Sequence, residues 1–222
     1  MINVALDGPS GAGKSTIARK AAEAFGFTYI DTGAMFRSLA YKALCEKIQI
    51  KSQIQDVISM LEQTNLDIKR SEKGQLMILD GKDITDFIRT PEVSKAASDI
   101  AVIPQVREWL LKVERELASK YDCIMDGRDI GTSVLPDADV KIFLTASVEE
   151  RAKRRHRELV EKGIEKSLSE VTEDMKYRDA QDSQREVSPL KMADDAVLAD
   201  TSALSFEESV NLVCDLIRKV IN

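Results

Sequence analysis

Apolar residues along this chain fall into two patterns, short continuous runs and stretches in which they return every three or four positions. INVALD, residues 2–7, is a run of the first kind and predicts a buried strand. A Gly-rich turn follows, and KSTIARKAAEAFG then shows helical spacing closed by Gly26. FTYI, residues 27–30, predicts a second strand leading into DTGAMFRSLAYKALCEK. There Asp31 or Thr32 can cap a helix that carries Leu39, Ala40, Ala43 and Leu44 on one face.

Between residues 66 and 88 the period changes to alternation, around Lys73-Gly74 and again before Asp80-Gly81. That predicts an antiparallel insert of two or three strands. Helical spacing resumes in TPEVSKAAS, with Pro91 in the first turn behind Thr90, and continues through PQVREWLLKVERELASK. CIMDGRDIG is then a buried strand that empties into a polar turn, and VKIFLTA is the clearest core strand. SVEE starts a basic helix running through Lys162, SLSE starts another reaching about Arg185, and the remainder predicts a strand, a loop and a helix opened by Ser205 and Glu208.

Strands that alternate with helices imply an α/β fold with a mostly parallel sheet covered on both faces, because parallel neighbours need crossover connections. Ligands of such sheets gather at the carboxyl ends of the strands. No internal repeat or low-complexity segment interrupts the pattern.

Composition narrows the class. With 222 residues, 43% hydrophobic and 32% charged, the chain can bury a sizeable core, and it has no apolar run of membrane-spanning length. The start, MINVALDG, lacks the basic flank and long apolar stretch of a secretion signal, so a soluble cytoplasmic protein is expected. Cys45, Cys123 and Cys214 are widely spaced and form no CxxC pair, which predicts free thiols. A net charge of -6 argues against a surface that tracks nucleic acid, although a local basic patch could still bind phosphates.

Gly8-Pro9-Ser10-Gly11-Ala12-Gly13-Lys14-Ser15, followed by Thr16, fits G-x-x-x-x-G-K-[ST] with a strand before it and a helix after it. The glycines let successive N–H groups face a phosphate, the helix N-terminus adds partial positive charge, and Lys14 adds a full one. Ser15 offers a hydroxyl to magnesium. A merely Gly-rich turn has no need of Lys-Ser at this offset. A switch GTPase should carry an N/TKxD run after a core strand, yet TASVEERAKRRHR follows VKIFL. A helicase-like ATPase should carry an acidic strand end, whereas CIMDGRD sets an arginine between two aspartates.

Arginines form a second set. Arg37 and Arg128 follow strand ends on the expected ligand side, where guanidinium forks suit phosphate oxygens. Arg178, Asp182 and Arg185 share one helix face, which taken alone reads as a solvated ion-pair ladder. Arg151, Arg154 and Arg155 also share a face, either a solvated basic surface or a lid that closes over phosphate. His156, the single histidine, has no cluster of metal ligands around it and is assigned no chemistry.

In their order, GPSGAGKST, DTGAMFR, KAAS, VRE, DGRDIG, PDADVKIFL and RDAQDSQR resemble the bacterial cytidylate kinases, and the resemblance spans essentially the whole chain. It implies a three-layer P-loop nucleoside-kinase fold with a small antiparallel β insert and a helical lid. It further implies one kinase domain made of a core (about 1–31, 104–150 and 186–222), a monophosphate-binding region (about 32–103) and a lid with its following helix (about 151–185). The activity implied is transfer of the γ-phosphoryl group of ATP, with Mg2+, to CMP or dCMP.

The same resemblance places Arg37, Arg128 and Arg185 around the CMP phosphate and Arg178 with Asp182 near its sugar, with Thr32 also at the CMP. It places Ser98, Arg107 and Asp129 at the cytosine. ATP falls to residues 8–16 and to Arg151, Arg154 and Arg155, and magnesium to Ser15 directly and Asp126 through water. Lys14, Arg37, Arg128 and Arg185 are then the catalytic set. Cytosine presents an amino donor beside ring acceptors, so a carboxylate and an arginine can pair with it together, and uracil reverses two of those groups. CMP and dCMP are therefore expected over UMP. Phe36 stands where the family often has Tyr, and Thr32 where it often has Ser. A monomer with no stable nucleic-acid or membrane partner is expected. The rivals are a P-loop kinase of another small acceptor, such as shikimate or a different nucleoside monophosphate, and a nucleotide-dependent RNA-binding regulator.

Overall fold

A computed structural model describes residues 1–71, 74–161 and 163–221. The chain divides into two compact units, one formed by Met1–Tyr29 with Lys120–Asn222 and the other by Ile30–Ser119. In chain order the elements are β1 (Asn3–Asp7), α1 (Lys14–Phe25), β2 (Thr28–Asp31), α2 (Thr32–Cys45), α3 (Ile54–Glu62), β3 (Leu66–Ser71), β4 (Gly74–Leu79) and β5 (Lys82–Asp83). After them come α4 (Pro91–Ile100), α5 (Pro104–Lys120), β6 (Cys123–Asp126), β7 (Val140–Thr145), α6 (Val148–Glu161), α7 (Leu168–Gln184), β8 (Val197–Asp200) and α8 (Phe206–Ile221).

A five-stranded sheet runs β2-β6-β1-β7-β8, and a separate three-stranded sheet runs β3-β4-β5. In the first, β1 lies parallel to β6 and to β7, with Leu6 opposite Asp126 and Asp7 opposite Phe143. Its partners are parallel because the connections between them are helical crossovers, as the alternating pattern predicts. Val4, Leu6, Ile124, Ile142 and Leu144 are buried against Ile17, Ala18 and Ala21 of α1 and Val213 and Ile217 of α8. The register brings the carboxyl ends of β1 and β6 side by side, the edge at which the sequence predicts ligand binding.

In the first unit α6 and α7 pack through Ala152, Leu159, Val171 and Met175. Both reciprocal bonds of the capping box form at Ser167 and Glu170, and again at Ser205 and Glu208. Ser147 Oγ accepts from the Glu150 N–H at the start of α6. That helix ends at Glu161, and Lys162 lies outside the described residues.

In the second unit Asp31, rather than Thr32, caps α2, its Oδ1 accepting the Ala34 N–H at 2.8 Å. Thr90 caps α4 in the same way, with Pro91 in the first turn. The antiparallel insert is present, Leu66 pairing with Leu79 and Leu79 with Lys82. Asp80 and Gly81 both take positive φ, 49° and 80°, the two-residue turn whose twist suits a hairpin. Lys73, half of the other turn, lies outside the described residues. Helix α3, with Val57, Met60 and Leu61 buried, was not anticipated from the sequence. Helix α5, up to Ser119, belongs to the unit 30–119.

Candidate active site

The phosphate loop occupies residues 8–13 between β1 and α1. Gly8 adopts φ 146°, and a Cβ there would lie 1.9 Å from the Leu144 carbonyl oxygen of β7, so only glycine fits. Gly13 precedes α1 in the left-handed region, and no side chain caps the helix, whose first N–H groups are therefore not claimed by a cap. Lys14 folds back over the loop and donates from Nζ to the carbonyl oxygens of Gly8 at 2.7 Å and Pro9 at 2.8 Å. Burial, with the Arg128 charge adding to it, lowers the Lys14 ammonium to about 7.

Asp126 ends β6 and is buried. Its Oδ2 accepts from Ser15 Oγ at 2.7 Å and its Oδ1 from the Tyr29 hydroxyl at 3.2 Å. This pairing turns the hydroxyl proton of Ser15 toward Asp126 and leaves the oxygen lone pairs for a cation. The donor set therefore fits a hard, oxygen-seeking ion such as magnesium accompanying a nucleotide. Among the described residues no group of three or more His, Cys, Asp or Glu side chains stands ready to hold a metal alone.

Beyond β6 the turn Gly127-Arg128-Asp129 is linked twice to α7. Arg128 Nε donates to Asp182 Oδ2 at 2.8 Å, and its Nη1 to the Gly127 carbonyl at 3.2 Å. Arg185, the residue that ends α7, donates from Nη2 to Asp129 Oδ1 at 3.2 Å and from Nε to the Ser188 carbonyl. Burial alone raises the Asp182 carboxyl, but the charge and hydrogen bond of Arg128 outweigh it and hold it below its ordinary value. Arg178 adds to the same positive field. The face shared by Arg178, Asp182 and Arg185 is thus not a solvated ladder. Asp182 and Arg185 pair with the turn after β6, a relation that helical spacing cannot reveal.

The three arginines of α6 have different surroundings. Arg151 is buried and uses its whole guanidinium: Nε donates to the Ala146 carbonyl at 2.9 Å, Nη1 to the Ser10 carbonyl at 2.9 Å and Nη2 to Asp179 Oδ2 at 2.7 Å. It braces the outer side of the phosphate loop against α7. Arg154 donates from Nη2 to the Thr201 carbonyl at 2.9 Å, and its Nη1 lies 4.0 Å from the position a Cβ on Gly13 would take. Arg155 pairs with Glu158 on the surface, at 2.9 Å.

The remaining candidates belong to the unit 30–119. Thr32 is the buried first residue of α2. Arg37 donates from Nη2 to Asp31 Oδ2 at 3.0 Å, while its buried Nε finds no acceptor. Arg107 lies 5.5 Å over the Phe36 ring and donates from Nη1 to the Ala101 carbonyl at 3.4 Å. Ser98 is exposed on α4, its hydroxyl 3.4 Å from the Ser94 carbonyl.

A family model described as cytidylate kinase matches residues 4–219. The chain belongs to this family. It is 48% identical over 220 residues to the cytidylate kinase of Caldicellulosiruptor saccharolyticus, covering 99% of this chain and 97% of that one. It is 47% identical over 219 residues to the cytidylate kinase of Bacillus cereus, with the same coverages. The solved structure of an uncharacterised protein of Eubacterium ventriosum has the same fold, with TM-score 0.52 at 13% identity, covering 100% of this chain and 98% of that one.

Four side chains around these candidates escaped the sequence. Asp179 holds Arg151, Thr201 holds Arg154, and Tyr29 supports Asp126. Each acts across a long sequence separation with no motif to mark it. The fourth is Asp7, whose carboxyl is raised to about 6, chiefly by burial. Its position next to Gly8 was the one signal available.

Proposed function

We propose that this chain transfers the γ-phosphoryl group of ATP to CMP or dCMP, releasing ADP and CDP or dCDP. The observation that carries the proposal is the pairing, within a single unit, of the uncapped phosphate loop around Lys14 with the Arg128–Asp182 and Arg185–Asp129 pairs beside it. Family membership supports the acceptor.

Phosphoryl transfer asks little covalent chemistry of a protein and much alignment and charge neutralisation. Lys14 and the N–H groups of residues 8–16 take the triphosphate, and Arg154 supports it from α6. Arg151 serves by bracing Ser10, and Arg155 is the outermost of the three. Ser15, and Asp126 through water, would hold magnesium, which would supply charge neutralisation to the transferring phosphate. Arg128 and Arg185 pair with Asp182 and Asp129, and a phosphate dianion suits the same guanidinium forks. Arg37 is assigned with them to the acceptor phosphate, Arg178 and Asp182 to the sugar, Ser98, Arg107 and Asp129 to the cytosine, and Thr32 to the CMP.

No helix among the described residues is long and apolar enough to cross a membrane. A monomeric cytoplasmic enzyme without a stable nucleic-acid partner accompanies the proposal, its oligomeric state checked by sedimentation. A coupled assay of ADP release against CMP, dCMP, UMP, AMP and shikimate tests the activity. CMP and dCMP should turn over fastest, and preference for any other acceptor overturns the assignment.

A further inference from the structure

The turn bearing Arg128 and Asp129 runs into a single π-helical stretch, Ile130–Val134, with Asp129 at its N-cap position. Aspartate is favoured at such positions because its carboxylate accepts the first unclaimed N–H groups of the helix. Asp129 makes no such bond. Its Oδ1 faces the Arg185 guanidinium instead.

The first two N–H groups of the turn are instead bound by another element, the Gly131 N–H among them being one that an N-cap side chain would take. Asp7, the last residue of β1, accepts the Ile130 N–H on Oδ1 at 2.8 Å and the Gly131 N–H on Oδ2 at 2.7 Å. The carboxylate is buried, and both oxygens are committed to backbone. A Cβ on Gly131 would come within 3.4 Å of Asp7 Oδ2 and 3.2 Å of Lys141 Cδ, so the turn lies close against β1 and β7.

We propose that Asp7 is the positioning residue for Asp129: by capping the 130–134 turn from β1, it releases the Asp129 carboxylate to face the acceptor base. The inference rests on the assignment of Asp129 to cytosine made above. One acidic side chain thereby joins two parts of the chemistry, since the residue after Asp7 is Gly8 of the phosphate loop. The charged groups that bear on Asp7 are Asp129 on the turn, Lys14 on α1 and Arg128 after β6. With two cations opposing one anion, the ionised carboxylate has partners although it is buried.

D7N keeps the shape of the side chain but turns an amide N–H toward a backbone N–H, so one of the two caps is lost. The cap then falls to Asp129. The expected result is a KM for CMP raised about tenfold or more, the scale of one buried hydrogen bond to a charged group, with the KM for ATP changed less than about twofold. The double variant D7N/D129N should match D129N in its KM for CMP within about twofold, because Asp7 acts only through Asp129. A double variant worse by the product of the two effects, or equal losses for ATP and CMP in D7N, overturns the proposal.

Two further outcomes separate this inference from the reading beneath it. If D129N raises the KM for CMP and D7N does not, the inference falls and the assignment of Asp129 stands. If D129N leaves CMP untouched, both fall. Should D7N fail to fold, hydrogen exchange in D129N reads the same contact with Asp7 intact. The Ile130 and Gly131 amides should remain as protected as in the wild-type protein, and faster exchange at both means that Asp129 caps its own turn.

Discussion

Lys14 and Gly8, the two ends of the phosphate loop, are joined directly: the ammonium donates to the Gly8 carbonyl oxygen at 2.7 Å. The loop's own carbonyl oxygens thus hold the Lys14 side chain in place. Burial and the neighbouring Arg128 lower the Lys14 pKa to about 7, so at pH 8 the amine is mostly neutral in the free protein. A triphosphate brings several negative charges and raises that pKa again. ATP binding at pH 8 should therefore take up most of a proton, and the uptake should shrink as the pH falls below 7. Calorimetry in two buffers of different ionisation enthalpy measures it directly. Binding without proton uptake would show that Lys14 is already charged.

Removal of the amine tests the chemistry rather than the titration. K14A deletes a charge that meets the phosphates where negative charge develops, and turnover should fall by about 100-fold or more. Steady-state assays with saturating ATP and CMP decide the point, provided circular dichroism shows the variant folded. Unchanged turnover would remove the loop from the mechanism.

Arg151 and Arg154 lie one helical turn apart yet should respond differently. R151A strips three hydrogen bonds and leaves Asp179 without its cation, a loss of about 3 kcal/mol or more for a largely buried pair. The melting temperature should fall sharply. R154A loses its bonds to Thr201 beside the loop, so its main effect should be a raised KM for ATP with a smaller change in melting. Thermal melts alongside ATP titrations separate the two, and a reversed pattern would mean that Arg151, not Arg154, touches the nucleotide.

How far the sequence reaches is set by the range of each interaction. INVALD, the loop and KSTIARKAAEAF were legible because strand burial, positive-φ glycines and helical spacing are all local. The capping box at Ser205 was legible for the same reason, whereas of the box expected at Ser147 only the Glu150 N–H to Ser147 Oγ bond forms, the Ser147 N–H donating to Ser202 Oγ. Helix α3 was equally local and was missed, although Ile54, Val57, Ile58 and Leu61 return at helical spacing over its nine residues. The partnership of Arg128 with Asp182 spans 54 positions and that of Asp7 with Ile130 spans 123, so no period in the chain encodes either. Local pattern therefore located the donor loop, whereas the contacts that orient Arg128 and Asp129 needed the folded chain.

Asp182 offers a test in which two probes should move in opposite directions. Its carboxylate pairs with Arg128 at 2.8 Å, so it should compete there with a phosphate. Neutralising it in D182N removes that competitor and leaves the local field more positive, so inorganic phosphate should inhibit more strongly against CMP than it does in the wild type. CMP itself loses the carboxylate assigned to its sugar, so its KM should rise. Inhibition constants for phosphate and KM values for CMP, measured at one ionic strength, give both signs in one set of assays. If phosphate binding weakens in D182N along with CMP, the carboxylate is aiding the arginine's approach to phosphate rather than competing with it, and the exchange proposed for Arg128 does not occur.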